Sequence, residues 1–210
     1  MRSPLNDLPK TALGACYAIF VIYLLLPLAL MMAMSFKDAN FIAFPISNWT
    51  LDWYGKVLQD KQFIEASLYS VGIAFATTIG ATVIGVWIAL LISTEGIRGK
   101  AILFAIACLP AVVPGLINAI SMRIFIRMVD IPTGTFAIIL SHTVHAVPFV
   151  VIMVLTRLRS MPANLVDAAR DLGADAFIAF MRVTVPYILP ALIGGMIFCV
   201  LTSIDDFVRT

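Results

Sequence analysis

Charge is scarce in this chain. Lysine and arginine number 14 and aspartate and glutamate 12 among 210 residues, so 12% of positions are charged. A soluble globular chain carries about 25%. Histidine occurs twice, and cysteine three times, at Cys16, Cys108 and Cys199. All three cysteines lie inside apolar runs and follow no disulfide or metal spacing, so they read as small packing residues. No phosphate-binding glycine loop, nucleophile elbow or dinucleotide fingerprint occurs. No cofactor is expected, and without a catalytic constellation the chain is not expected to be an enzyme. A formal net charge of +2 makes no case for a nucleic-acid partner.

What replaces charge is oil. Hydrophobic residues make up 61% of the chain. Uncharged stretches run from Thr11 to Phe36, Ala66 to Thr94, Ala101 to Met122, Ile131 to Thr156 and Val183 to Ile204. Each is longer than the ~20 residues an α-helix needs to cross a bilayer. In hydrocarbon every backbone polar group must be satisfied within the segment, so each run is expected to be helical. The fold class is therefore all-α: a polytopic membrane protein with five predicted transmembrane helices, one transmembrane domain over 1–210. The first run is too long for a signal peptide and lacks a clear cleavage site, so an uncleaved anchor is expected.

Five spans put the termini on opposite sides. With the N-terminus inside, the inner side holds Arg2, Lys10, Arg98, Lys100, Arg157, Arg159, Arg170 and Arg182. The outer side holds Lys37, Lys56, Lys61, Arg123, Arg127 and Arg209. The excess favours a cytoplasmic N-terminus under the positive-inside rule. Trp49, Trp53 and Tyr54 suit a membrane–water interface, with Trp53, Val57 and Leu58 on one side of a short helix. Arg123 and Arg127, four apart after the third run, read as snorkelling side chains at the outer interface.

The third run contains "LPAVVPGLINAIS". Pro110 and Pro114 are four apart and are expected on one helix face, each removing a backbone donor. Two readings stand: a kink with a packing role, or a broken helix lining a cavity. His142 and His145 lie three apart without further ligands, so they read as packing histidines with hydrogen-bonded rings. Asp205 and Asp206 end the last apolar run; a carboxylate at membrane depth is expensive and normally faces a wet path or a partner. The competing reading pairs one of them with Arg209.

One polar stretch interrupts the oil late in the chain. "SMPANLVDAARDLG" reads as a short helix, with Pro162 in its first turn and Gly173 just past its end. Leu165, Ala168, Ala169 and Leu172 recur at i, i+3, i+4, i+7 and form an apolar stripe with small residues at its centre. Asp167, Arg170 and Asp171 face elsewhere. Asp175 is placed to cap a second helix, in which Phe177, Phe180 and Met181 share a face. Pro186 marks the start of the last run. The stretch is expected to be a helix–glycine–helix hairpin at the membrane surface, either a docking element or a simple interfacial loop.

The order Asp167-Ala168-Ala169, three residues, Gly173, nine residues, Val183, one residue, Val185-Pro186 resembles the EAA loop of binding-protein-dependent ABC importer permeases. The family pattern is EAA, three residues, Gly, nine residues, I-x-L-P. The departures are Asp for Glu at 167 and Val for Ile and Leu at 183 and 185. "TLDWYGKVLQD", "GIRGK", "LPAVVPGLINAIS", "SHTVHAVPFVV", "TRLRSMP" and "SIDDF" are similar to the spermidine/putrescine-type subfamily.

The resemblance implies a MetI-like permease bundle of a type I importer in the bacterial inner membrane, with a cytoplasmic coupling loop over 158–185. It implies three kinds of partner: a second permease subunit, identical or homologous, cytoplasmic ATPase subunits that consume the ATP, and an extracytoplasmic solute-binding protein. Asp167, Ala168, Ala169, Leu172, Gly173 and Pro186 would couple to the ATPase. Asp205, Asp206, Pro110 and Pro114 would border the path of a small solute, a polyamine. Permeases of this subfamily continue beyond "SIDDFV" to a final span, where this chain stops at Thr210. The alternatives are a gradient-driven transporter or channel, which would carry ionisable residues in mid-span, and a non-transporting membrane fragment.

Overall fold

A computed structural model describes residues 10–38, 46, 48–162 and 164–206. Its elements are helices in the order α1 (Lys10–Ser35), α2 (Asp52–Gln59), α3 (Lys61–Ser93), α4 (Lys100–Val112), α5 (Gly115–Met128), α6 (Thr135–Arg159), α7 (Asn164–Asp171), α8 (Ala176–Ala179), a π-turn (Phe180–Thr184) and α9 (Val185–Ile204). Among the described residues the only β pairing is an isolated bridge between Lys37 and Trp49.

The chain divides into two compact units, Met1–Glu65 and Ala66–Thr210. In the first, α1 is apolar on every side and most of its large side chains are exposed, as expected of a helix in lipid. The segment after it is tied by aromatic side chains. Trp53 Nε1 donates to the Lys37 carbonyl at 3.0 Å, and the Lys56 ammonium lies 4.2 Å from the Trp53 ring centre. Ser35 and Tyr54 share a hydroxyl–hydroxyl hydrogen bond of 2.6 Å. Trp53 is therefore half-buried, whereas Val57 and Leu58 are exposed, so the three do not form one uniform face.

The second unit is built on α6. Ala146, Val147, Val150, Val151, Val154, Leu155 and Leu158 bury one long stretch of it. Lipid tails are as apolar as leucine, so helices here associate through close packing rather than through the hydrophobic effect. The neighbours accordingly present small residues: Ala81, Gly85 and Ala89 from α3, Gly195 and Cys199 from α9. A methyl group on Gly85 would sit 2.7 Å from Cβ and Cγ1 of Val150, and one on Gly195 would sit 3.7 Å from the Val150 Cα. Val150 thus fills the gap left by Gly85, while Gly195 leaves room beside it.

The third apolar run is not one helix. Pro110 lies inside α4, Pro114 is the residue preceding α5, and the two helices are bent 109° apart. The prolines therefore do not share a helix face. A proline disfavours the α conformation in the residue before it, and Val113 is extended at φ −75°, ψ 130°. The break is satisfied locally: Asn118 Nδ2 donates to the Pro110 carbonyl at 3.0 Å, and Val113 N–H to the Leu109 carbonyl at 3.3 Å. Among the described residues four helical runs are long and apolar enough to cross a membrane, five if the bent pair is a single span.

Candidate functional site

The interrupting polar stretch forms a hairpin between α6 and α9. Pro162 lies before α7, where its carbonyl receives the Leu165 N–H at 3.2 Å. Gly173 adopts φ +89° just beyond the helix. Gly173 N–H bonds the Arg170 carbonyl at 2.9 Å, and Ala174 N–H bonds the Ala169 carbonyl at 3.0 Å. These two bonds are the Schellman pair that closes a helix through a left-handed residue. Two residues on, Asp175 Oδ1 accepts the Ile178 N–H at 2.7 Å and starts the second helix.

No residue of α7 is buried. Leu172 is 90% exposed and Leu165 38%, Ala168 and Asp167 are exposed, and Ala169 is half-buried. A leucine left open on a polar, small-sided helix is an unpartnered surface. Phe177 and Met181 are also exposed, with Phe180 half-buried.

The return to the membrane passes through the π-turn. Val185 N–H bonds the Phe180 carbonyl, five residues back. Pro186, second in α9, has no N–H to give. The wider turn keeps the backbone paired up to that position, which is why the helical path runs unbroken from Ala176 to Ile204. Single π-turns inside helices occur often at functional sites.

Sequence patterns gave no hint of the closure at the base of the hairpin. Arg157 Nε donates to the Tyr187 carbonyl at 3.0 Å, and its guanidinium carbon lies 4.2 Å from the Tyr187 ring centre. The Tyr187 hydroxyl donates to the Ser160 carbonyl at 2.9 Å. These partners are 27 and 30 positions apart, beyond the reach of any periodicity.

The residues expected along a solute path are not gathered in one place. A cavity of about 250 Å³ at the α4–α5 break is lined by Leu109, Pro110, Val113, Asn118, Ser121, Met122, Phe125 and Val144. Pro110 contributes to it; Pro114, Asp205 and Asp206 do not. Asp205 caps the end of α9, its N–H on the Leu201 carbonyl at 3.0 Å, and is exposed, while Asp206 is half-buried. The suggested pairing with Arg209 lies outside the described residues. His142 is buried and shares a 2.9 Å hydrogen bond between Nδ1 and Ser203 Oγ, tying α6 to α9. His145 meets the edge of Phe149, which in turn packs on Phe198 at 4.5 Å. Among the described residues no three His, Cys, Asp or Glu side chains cluster to hold a metal.

Long apolar helices interrupted by one exposed helix–glycine–helix hairpin define an integral membrane protein. Residues 81–209 match the family of binding-protein-dependent transport system inner membrane components, and the chain belongs to that family. It is an inner-membrane, multi-pass permease component of an ABC importer and not an enzyme.

Among curated proteins it is 28% identical to the spermidine/putrescine transport system permease protein PotC of Haemophilus influenzae, over 89% of this chain and 72% of that one. It is 28% identical to PotC of Escherichia coli K12, covering 89% and 70% of the two chains. It is 27% identical to the putrescine permease PotI of the same organism, covering 89% and 68%. Among solved structures it resembles a chain of a bacterial ABC transporter involved in the import of the acidic polysaccharide alginate. That match has a TM-score of 0.67 at 17% identity, over 93% of this chain and 74% of the other, and supports the fold.

Proposed function

We propose that this permease carries a polyamine across the inner membrane and is driven through the hairpin at 158–185. The observation that carries the reading is the bare face of α7: Leu172 and Ala168 are open, and the Gly173 and Asp175 closures hold that face rigid. A small-residue helix allows close approach by another body, and a large exposed apolar side chain gains by filling a pocket on it. Asp167, Ala168, Ala169, Leu172 and Gly173 form the contact with a cytoplasmic ATPase, and Pro186 begins the return into the span. Asp167 pairs with a basic group on that subunit. ATP is bound and hydrolysed by the ATPase subunits alone. A second permease, identical or homologous, completes the path, an extracytoplasmic binding protein delivers the solute, and the N-terminus is cytoplasmic.

The substrate reading rests on the polyamine permeases among the relatives and on two adjacent carboxylates at the end of α9. Carboxylates at membrane depth attract cations. The break after Pro110, with Pro114 opening α5, supplies a flexible joint beside the path. ATP-driven closure of the ATPases moves the hairpin, and the spans rock to alternate access.

The test is co-purification of the ATPase with the permease. Gly173→Val places a β-branched residue at φ +89° and costs about 1–2 kcal/mol locally. It and Asp167→Lys should both lose the ATPase. An unchanged ATPase yield in both variants would refute the docking assignment.

A further inference from the structure

The hairpin hangs from α6 and α9, and the two are tied where it leaves and where it returns. Arg157 reaches from the last turn of α6 to the backbone of Tyr187 in the first turn of α9, with its Nε 3.0 Å from the carbonyl. The same guanidinium lies over the Tyr187 ring, its carbon 4.2 Å from the ring centre, within cation–π reach. Tyr187 replies with its hydroxyl, which donates to the Ser160 carbonyl at 2.9 Å. That carbonyl belongs to the cap of α6, where the intrahelical donors have run out. Ser160 Oγ turns back onto the Arg157 carbonyl at 2.8 Å, fixing the cap itself. One tyrosine is therefore held at its backbone and ring by α6 and holds the end of α6 with its tip.

We infer that Arg157 and Tyr187 are positioning residues that lock the ends of α6 and α9 into a single lever arm, so that a push on the hairpin moves both helices together. The inference rests on the docking role proposed above for the hairpin. Its physical ground is where the hairpin would otherwise yield. No side chain of α7 is buried, and its packing neighbours are α8 and the π-turn of the same hairpin, so load leaves the hairpin through the two chain segments that join it to α6 and α9. On one side lies the short non-helical link from Ser160 to Pro162; on the other lie the non-helical turn at 172–175 and then the π-turn, with its wide i→i+5 pairing. Without a tie, a displaced α7 would bend the link and rewind the π-turn while the spans stayed still. With the tie below both soft points, displacement reaches α6, the most buried helix of the unit, and α9 packed along it.

The π-turn also sets the aim of the tie. One inserted residue rotates everything beyond it by about 100° about the helix axis. That rotation brings Tyr187 to face α6. Arginine is required because a planar guanidinium can stack and donate through Nε at once; an ammonium is a point charge and does one or the other.

The experiment uses the assembled importer, with its ATPase, partner permease and binding protein, reconstituted in vesicles. Arg157→Gln, Arg157→Lys, Tyr187→Phe and the double variant Arg157→Gln/Tyr187→Phe are compared for ATPase yield, basal ATP hydrolysis and solute moved per ATP. ATPase yield and basal hydrolysis should stay at the wild-type level. Solute moved per ATP should fall by at least about tenfold in Arg157→Gln, the lower bound for loss of one hydrogen bond to a charged group, and less in Tyr187→Phe, which keeps the ring under the guanidinium. Arg157→Lys should fail to rescue, and the double variant should be no worse than Arg157→Gln because the two side chains act as a unit. Wild-type coupling in Arg157→Gln and Tyr187→Phe would overturn the inference. So would a loss of ATPase yield in step with uptake in both, since that makes the tie a support for folding or docking only. Failure of the docking role shows separately, as full ATPase yield in Gly173→Val and Asp167→Lys.

Discussion

Replacing Gly85 with alanine should damage the bundle far more than its size suggests. The added methyl lands 2.7 Å from both Cβ and Cγ1 of Val150, and 3.4 Å from the Val147 carbonyl oxygen. Val150 is fully buried, and the clash falls at the root of its side chain, on Cβ as well as Cγ1. No rotamer change moves a Cβ, so the clash is relieved only by shifting α3 away from α6. Overpacking of this kind costs about 1–3 kcal/mol. Alanine also brings back roughly 1 kcal/mol of helix propensity over glycine. A control removes that second effect: Gly194→Ala, in α9, meets nothing within 4 Å. The difference between the two variants, measured by unfolding the detergent-solubilised protein, isolates the clash, and Gly85→Ala should be the less stable by about 1–3 kcal/mol. Trimming Val150 to alanine should rescue only in part, because Cβ remains after Cγ1 has gone. Equal stability of Gly85→Ala and Gly194→Ala would refute the packing of α3 on α6 as described.

Three further outcomes are expected. Asp175→Ala removes the acceptor for the Ile178 N–H and should cost about 0.5–2 kcal/mol of local stability, read as faster amide exchange over 176–179 with α6 unaffected. Asp205→Asn or Asp206→Asn should lower polyamine uptake while the ATPase remains bound; undiminished uptake in both would remove the carboxylates from the path. A cysteine at Arg127, exposed in the last turn of α5, should react with an impermeant reagent added outside intact cells, and labelling from the cytoplasmic side alone would reverse the topology.

Much of this architecture could be read from where charge is absent. Long uncharged runs locate the membrane helices because the bilayer core penalises every unpaired backbone group alike. The hairpin was legible for a different reason: its signals are local. Gly173 marks a left-handed stop and Asp175 a cap, and each acts within three residues of itself. In the third run the broken-helix reading holds and the shared proline face does not, because spacing marks a face only while the helix continues. Pro110 and Pro114 sit at i, i+4, yet the second proline forces Val113 out of the helix, and the period ends there. The π-turn was invisible, since one extra residue alters neither composition nor length in any noticeable way. The Arg157–Tyr187 tie is set by tertiary placement of two helices joined by the whole hairpin, and nothing near either residue announces it.

The central claim is that the bare face of α7 meets the ATPase. A photo-crosslinking residue at Leu172, the most open large side chain of the hairpin, tests it most directly in the membrane. The matched control is Phe136, also exposed, in the first turn of α6. α6 is 25 residues long. At 1.5 Å per residue the control therefore lies roughly 35 Å from the hairpin end of that helix. The account predicts a strong adduct between position 172 and the ATPase subunit, weakened by Asp167→Lys, and none from position 136. An adduct from position 136, or none from 172 while the ATPase co-purifies, would contradict it.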